Sequence, residues 1–267
     1  MTDLDARYLA ILDDLEVEGR ELESVVRGLD TDGWRLDTQS KGWTIAHQIG
    51  HLTVTEELML AALTDETQFR EMAGTARTKP SISDDELNGP RVSLRLEAWT
   101  ASRDALLGAF RSQPPDGRIP WMGPSMSMTS AATSRIMEIW AHGQDVYDAL
   151  GKSRPATHRL RHIAHLAIAA RDYSFINRGL AAPSEPFRVE IHGPDDQTWV
   201  WGPQDAAQTV EGDAYDFALL ATRRIHRSDA RVQASGRDAM TWLRTIQAYA
   251  GPPGPRRRPI GRRGASA

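Results

Sequence analysis

Between residues 3 and 28, Leu4, Tyr8, Ile11, Leu12, Leu15, Leu22, Val25 and Val26 recur at three- and four-residue spacing. That period predicts an amphipathic helix of about seven turns, with Thr2 as its cap. Leu29 to Gly42 is polar and broken by Gly33 and Gly42, so a loop is expected. A second helix, from Trp43 to about Leu63, carries two apolar stripes. Ile45, Ile49, Leu52, Met59 and Leu63 form one, and His47, His51, Val54, Leu58 and Ala62 the other. A helix of that kind is buried on two sides, so His51 faces an interior and not solvent.

Residues 64–89 read as a long connection with a short helix around Phe69 and Met72. Pro90 suits the first turn of a third helix running to Phe110. The stretch 113–124, rich in Pro and Gly, excludes regular structure and delivers Trp121 and Met122 to a position where they could line a pocket. A fourth helix spans about 128–150 and stops at Gly151. A fifth runs from Pro155 to about Asn177.

After Pro183 the period falls to two. Phe187, Val189 and Ile191 alternate with polar residues, a turn follows at 193–196, and 198–201 alternate again, which predicts a β-hairpin. Helices are expected over 214–224 and 238–250, and a strand over 230–234. The fold class is therefore α+β and mainly α. A helical bundle over 1–180 precedes a small α+β domain over 181–251 and an Arg/Pro/Gly-rich tail over 252–267, which cannot bury a core and reads as disordered.

Composition narrows the function classes. A net charge of -4 argues against general nucleic-acid binding, which needs a basic surface. No apolar run reaches the ~18 residues that span a bilayer, and no basic-then-apolar leader is present, so no membrane partner and a cytoplasmic location are expected. The chain has no cysteine. Any sulfur chemistry must use a thiol brought from outside.

The fourth helix carries the candidate chemistry. Glu138 and His142, four residues apart, project from one side of it, and His51 of the second helix can complete a three-ligand set. Glutamate and imidazole suit Zn²⁺, and three protein ligands with an open fourth position are the pattern of catalytic zinc. The residual charge of about +1 on such a centre would favour an anionic water or thiol nucleophile at neutral pH. Alternatives stay open at this point. Arg135, Glu138, His142 and Asp145 could form a solvated helix face, His47 could replace His51, and His158, His162 and His165 have a spacing that could hold a metal. Arg223 and Arg224 are candidates for binding a carboxylate.

Gly42-Trp43-Thr44 with His51, then Pro120-Trp121, then Glu138-Ile-Trp-Ala-His142-Gly-Gln-Asp145 and on to Gly151 resemble the mycothiol-dependent maleylpyruvate isomerase-like branch of the DinB superfamily. The likeness covers the chain to about residue 180. The remainder is similar to the branch's small C-terminal domain, related to sterol-carrier-like folds. The resemblance implies a four-helix bundle and zinc, or another divalent metal, on His51, Glu138 and His142. It implies mycothiol as thiol cosubstrate, and an arginine of the second domain, Arg224 or Arg223, in the active site. Trp121, His47 and Asp145 are the accompanying candidates for cofactor contact. The function so implied is isomerisation of a cis alkene or S-transfer to a small-molecule electrophile by a monomer or homodimer. A non-enzymatic metal- or ligand-binding module and a thiol-independent metal hydrolase are the competing readings.

Overall fold

A computed structural model describes residues 2–76, 94–252, 254 and 257–259. The expected start of the third helix at Pro90 and most of the expected tail lie outside the described residues. The chain divides into two compact units, Met1–Arg154 and Pro155–Ala267.

The first unit is a four-helix bundle. Helix α1 (Asp3–Val26) opens with a capping box, in which Asp5 N donates to Thr2 Oγ1 at 3.1 Å and Thr2 N to Asp5 Oδ2 at 2.7 Å. A single-turn helix α2 (Thr31–Trp34) interrupts the expected loop, because Asp30 caps it through Gly33 N and Trp34 buries its ring. Helix α3 (Ile45–Thr64) is followed by α4 (Glu66–Ala76), longer than the short helix expected there. Helix α5 (Leu94–Ser112) leads into the Pro/Gly stretch, which is not wholly irregular: β1 (Arg118–Ile119) pairs antiparallel with β2 (Met126–Ser127). Helix α6 (Met128–Ala149) ends where expected. Gly151 takes the left-handed φ of 61° that lets Lys152 N reach back to Tyr147 O.

Helices α3 and α1 each pack on both α5 and α6, closing the bundle around Leu12, Leu22, Ile45, Ile49, Leu52, Met59, Trp99, Phe110, Ile136 and Ile139. From Ile45 to Leu52 every residue of α3 except His51 is buried, in keeping with its two apolar stripes.

The second unit begins at Pro155 and not near 181. The apolar stripe of α7 (Leu160–Ala169), with Leu160, Ile163, Ala164 and Ala167 buried, packs on α9 (Ala214–Ala221) within that unit. The expected single helix over 155–177 is two, because the backbone turns at Ala170 before α8 (Arg171–Ile176). The sheet has the order β4-β3-β5-β6, made of β3 (Phe187–His192), β4 (Thr198–Trp201), β5 (Gln208–Asp213) and β6 (Val232–Ser235). Strands β3 and β4 form the expected hairpin, with Asp195 and Asp196 both left-handed as a tight hairpin turn requires. Helix α10 (Arg237–Thr245) sets Trp242 edge-on to Phe187 and Phe217. It stops five residues short of the expected end, because the chain around Gln247 bonds instead to Ser174 and Asn177 of the α8 region.

Candidate metal centre

Two helices of the first unit build the site. On α6, Glu138 and His142 stand one turn apart, and Glu138 Oε2 lies 3.3 Å from His142 Nε2. From α3, His51 Nε2 comes within 3.9 Å of the same oxygen, and the two imidazole rings are 4.5 Å apart. Among the described residues, His51, Glu138 and His142 are the group of His, Asp and Glu side chains whose ligand atoms all lie within 4.8 Å of one another. Two ligands held about 2.1 Å from a tetrahedral ion sit roughly 3.4 Å apart, so the observed separations need little adjustment to accept one. His158, His162 and His165 form no such group, and His158 and His165 are exposed.

The neighbours of His142 decide which nitrogen faces the centre. Its Nδ1 lies 2.6 Å from Gln48 Oε1. Gln48 Nε2 donates to Thr38 Oγ1, which itself donates to Trp43 O, so the amide orientation is set by that chain. Oε1 can only accept, and His142 Nδ1 must carry the proton. In the neutral ring, Nε2 then points a lone pair at the Glu138 carboxylate. An acceptor facing an acceptor demands a cation between them, either a second proton on the imidazole or a metal ion. His51 Nδ1 is buried without a hydrogen-bond partner, which leaves Nε2 as its outward contact. Trp43 covers the imidazoles, 5.3 Å from His51 and 6.0 Å from His142 by ring centres. Gln48 was not singled out in the sequence, and Trp43 only as part of the Gly42-Trp43-Thr44 motif. Gln48 lies one helical turn before His51, and a polar residue on that face was the available signal.

Because Gln48 fixes the ligand tautomer, Gln48→Ala is expected to weaken divalent-metal affinity by about 10–100-fold, measured by competition with a chromogenic chelator. Undiminished affinity would remove Gln48 from the site.

The face of α6 that carries Glu138 and His142 is only partly open to solvent. Arg135 is 2% exposed and Asp145 fully buried. Burial alone would raise the Glu138 carboxyl, but the His142 and His51 imidazoles beside it and the charge of Arg135 outweigh it and hold the group well below the usual carboxylate range. One turn earlier, Arg135 Nη2 donates to Thr55 Oγ1 at 3.0 Å and lies 3.9 Å from Glu56 Oε1. Glu56 accepts from Trp99 Nε1 and Ser102 Oγ. Burial still pushes its carboxyl up to about 7, against the opposing charges of Arg135 and Arg103.

That shift has a sign. A raised carboxylate keeps a proton in the folded state which the unfolded chain releases near pH 4.5, so stability falls as pH climbs from 4.5 through 7. The loss at pH 8 amounts to about 3 kcal/mol from this group. Glu56→Gln should flatten the difference between denaturant midpoints at pH 5 and pH 8. An unchanged difference would show that Glu56 does not titrate in that window.

The remaining candidates take other places. His47 Nδ1 is engaged by Thr44 N and Thr44 Oγ1 at the start of its own helix, 3.1 and 2.8 Å away. Asp145 Oδ2 accepts from Ser40 Oγ at 3.1 Å and tethers α6 to the loop before α3. Trp121 stacks on Phe69 at 5.8 Å and, with Met122, lines a pocket of about 390 Å³ that contains none of the three metal-ligand candidates. Arg223 and Arg224 lie just beyond the end of α9 in the second unit. Arg223 is left-handed, with φ 62°, and lines a cleft, while Arg224 Nη1 donates to Thr222 O.

A family model described as the mycothiol maleylpyruvate isomerase N-terminal domain matches residues 15–147, which contain all three ligand candidates. A second model, described as wyosine base formation, matches residues 183–233. Two Mycobacterium tuberculosis proteins, "Uncharacterized protein Rv0036c" of strain H37Rv and "Uncharacterized protein MT0041" of strain CDC 1551, are each 48% identical to the chain over 245 residues, or 90% of it and 95% of the relative. The crystal structure of the mycothiol-dependent maleylpyruvate isomerase matches with a TM-score of 0.55 at 16% identity, covering 88% of this chain and 96% of that one. The structure of a histidine-to-alanine mutant of that isomerase matches equally well at 15% identity. At such identities the structural likeness speaks for the fold. Among the described residues, no helix is long and apolar enough to cross a membrane.

Proposed function

The chain belongs to the mycothiol-dependent maleylpyruvate isomerase-like family, and from that premise we propose that it is a divalent-metal enzyme that activates an external thiol, mycothiol, for attack on a small electrophile. The observation that carries this reading is the convergence of His51 Nε2, Glu138 Oε2 and His142 Nε2 on one point, with the other nitrogen of His142 tied to Gln48. These three residues would hold the ion, and the two-nitrogen, one-oxygen set suits Zn²⁺. A divalent ion bound there lowers the pKa of a thiol that reaches it, so that thiolate is available at neutral pH.

The residues of the chain supply the rest. Glu138 contributes one negative charge and leaves the centre net positive, which favours an anionic nucleophile. Trp43 shields the imidazoles on one side and restricts water there. Sulfur adds to one alkene carbon, forming a C–S bond while the π pair moves onto the adjacent activating group. Rotation about the resulting single bond and loss of the thiolate return a trans alkene, which is isomerisation. Protonation of the adduct instead keeps the C–S bond, which is S-transfer.

The test is turnover by metal-loaded protein with mycothiol and a panel of cis-alkene acids and epoxides, followed by mass spectrometry. Thiol-dependent isomer or adduct is expected. Equal turnover without thiol would sink the thiol reading in favour of hydrolysis by metal-activated water. Tight ligand binding with no turnover at all would make the site a binding module.

A further inference from the structure

Two buried groups of opposite charge, Arg135 and Glu56, lie on the helices that carry the metal-ligand candidates, and neither belongs to the triad. Arg135 stands one turn before Glu138 on α6. Its Nη2 donates to Thr55 Oγ1, and that hydroxyl donates to His51 O at 3.0 Å, so the guanidinium reaches the turn of α3 that carries His51. The same nitrogen is 3.9 Å from Glu56 Oε1, while Nε is buried without a hydrogen-bond partner. One guanidinium thus serves two carboxylates, since its charge acts on Glu138 as well as on Glu56. Glu56 is otherwise enclosed by α5, where Trp99 Nε1 and Ser102 Oγ donate to it and the charge of Arg103 favours its ionised form. Arg103 is itself paired with Glu23 of α1 at 2.7 Å and with Asp104 at 2.9 Å. Helix α4 pairs its Arg70 with its own Glu66, and α2 meets the far end of α3, near the bond from Ile45 N to Leu36 O. Among the described residues, Glu56 has no hydrogen bond or ion pair to any of the three ligand candidates, which leaves Arg135 as the link between them.

We propose, on the metal reading of the triad, that Glu56 is the internal counter-charge of the metal centre, losing its proton as a divalent ion settles on His51, Glu138 and His142, and that Arg135 is a positioning residue that joins the two ligand-bearing turns. A divalent ion adds two positive charges where Glu138 supplies one negative charge, so Arg135 then faces an excess of positive charge. Inside the bundle such an imbalance is poorly screened. Glu56 is the carboxyl beside Arg135 that can correct it. Burial pushes that carboxyl up to about 7, so about half of the metal-free molecules hold its proton at pH 7. With Glu56 ionised, the ion, Glu138, Arg135 and Glu56 sum to about +1, which a single thiolate neutralises; with Glu56 protonated the sum is about +2. Because the proton leaves as the ion enters, affinity for the ion must rise with pH through the same range.

Calorimetric titration of the metal-free full chain with zinc chloride, in buffers of different ionisation enthalpy, counts the protons released per ion. At pH 7 the wild type should release up to about half a proton more than Glu56→Gln, which keeps the shape and cannot ionise, and the excess should vanish by about pH 9. Protons from the histidine ligands are common to both proteins and cancel in the difference. Zinc affinity should be about equal in the two at pH 5.5 and about three- to tenfold higher in the wild type at pH 8. Arg135→Lys keeps the charge and loses the planar fork, so it should shift the visible absorption bands of the cobalt-substituted protein, which a residue without influence on the ligands would leave in place. If circular dichroism shows that Glu56→Gln does not fold, Ser102→Ala decides instead: with one donor to the carboxylate gone, the pH of greatest proton release should move upward. A wild type that binds no zinc would remove the metal centre and the counter-charge together. Zinc binding with equal proton release in wild type and folded Glu56→Gln, or with an unmoved release profile in Ser102→Ala, would overturn the counter-charge alone, and unshifted cobalt bands in Arg135→Lys would overturn the positioning role.

Discussion

Glu138→Ala is expected to leave the protein folded and nearly free of metal, where the wild type should carry about one ion per chain by elemental analysis. Glu138 Oε2 is the atom that both imidazole nitrogens face, 3.3 Å from His142 and 3.9 Å from His51. Without it, two neutral imidazoles remain, and a two-ligand site with no anionic member holds a divalent ion poorly. The affinity loss should exceed the roughly 10–100-fold that removal of an outer-shell partner costs. Glu138→Gln sharpens the test, since it keeps the shape and removes the charge. If the carboxylate is a ligand, Glu138→Gln should also lose metal. If it only pairs with a protonated His142, the amide variant should keep metal wherever the wild type does. Full metal content in Glu138→Gln would therefore end the ligand assignment, and thiol-dependent turnover should disappear together with the metal.

The grouping of His51, Glu138 and His142, which the structure brings together, was expected from the sequence because its pattern is local. A Glu and a His four apart on one helix, and a His on an apolar stripe of another, are visible as spacing, which by itself left His47 and the His158, His162 and His165 series open. What surrounds them was not. Gln48 became significant through the Thr38 to Trp43 hydrogen-bond chain, which belongs to a loop with no periodicity. Arg135 and Asp145 lie on a face that the pattern alone left open to solvent, and their partners, Glu56, Thr55 and Ser40, lie 79 to 105 residues away in the chain.

The same contrast holds for the fold. The long helices repeat apolar residues at the helical period, and the hairpin alternates strictly. Strand β5 was missed because the buried positions of Gln208–Asp213 are Gln208, Val210 and Gly212, so its alternation is of burial and not of hydropathy. Gln208 is inward because its Oε1 accepts from Asp238 N and Ala239 N at the start of α10. Gly212 is required because a Cβ there would lie 2.5 Å from Arg231 O. Those demands come from tertiary pairing, which a single strand's pattern does not contain.

Arg154→Ala should destabilise the first unit by about 3–5 kcal/mol, far more than an ordinary ion pair is worth. The Arg154 guanidinium pairs with Glu18, and the two side chains are 4% and 1% exposed. Its other nitrogen, Nη1, donates to Trp140 O at 2.6 Å, and the group lies over the rings of Trp140 and Tyr147 at 5.1 and 5.2 Å. The arginine thus clamps α1 to the middle of α6, beside Gly143, where an added Cβ would stand 3.2 Å from Nη1. Truncating it takes the guanidinium from beside the buried Glu18 carboxylate, opens a cavity and removes two cation–π contacts, and these losses act in the same direction. A melting-temperature drop of roughly 6–20 °C follows for a unit of this size. The measurement belongs on metal-free protein, because a bound ion would add stability by mass action and hide part of the loss. Replacing both partners separates clamp from charge. Glu18→Leu/Arg154→Met should recover much of the stability that Arg154→Ala alone forfeits, since apolar side chains of similar volume replace the buried charged pair. A loss below about 1 kcal/mol in Arg154→Ala would place the pair among exposed surface bridges and refute the clamp.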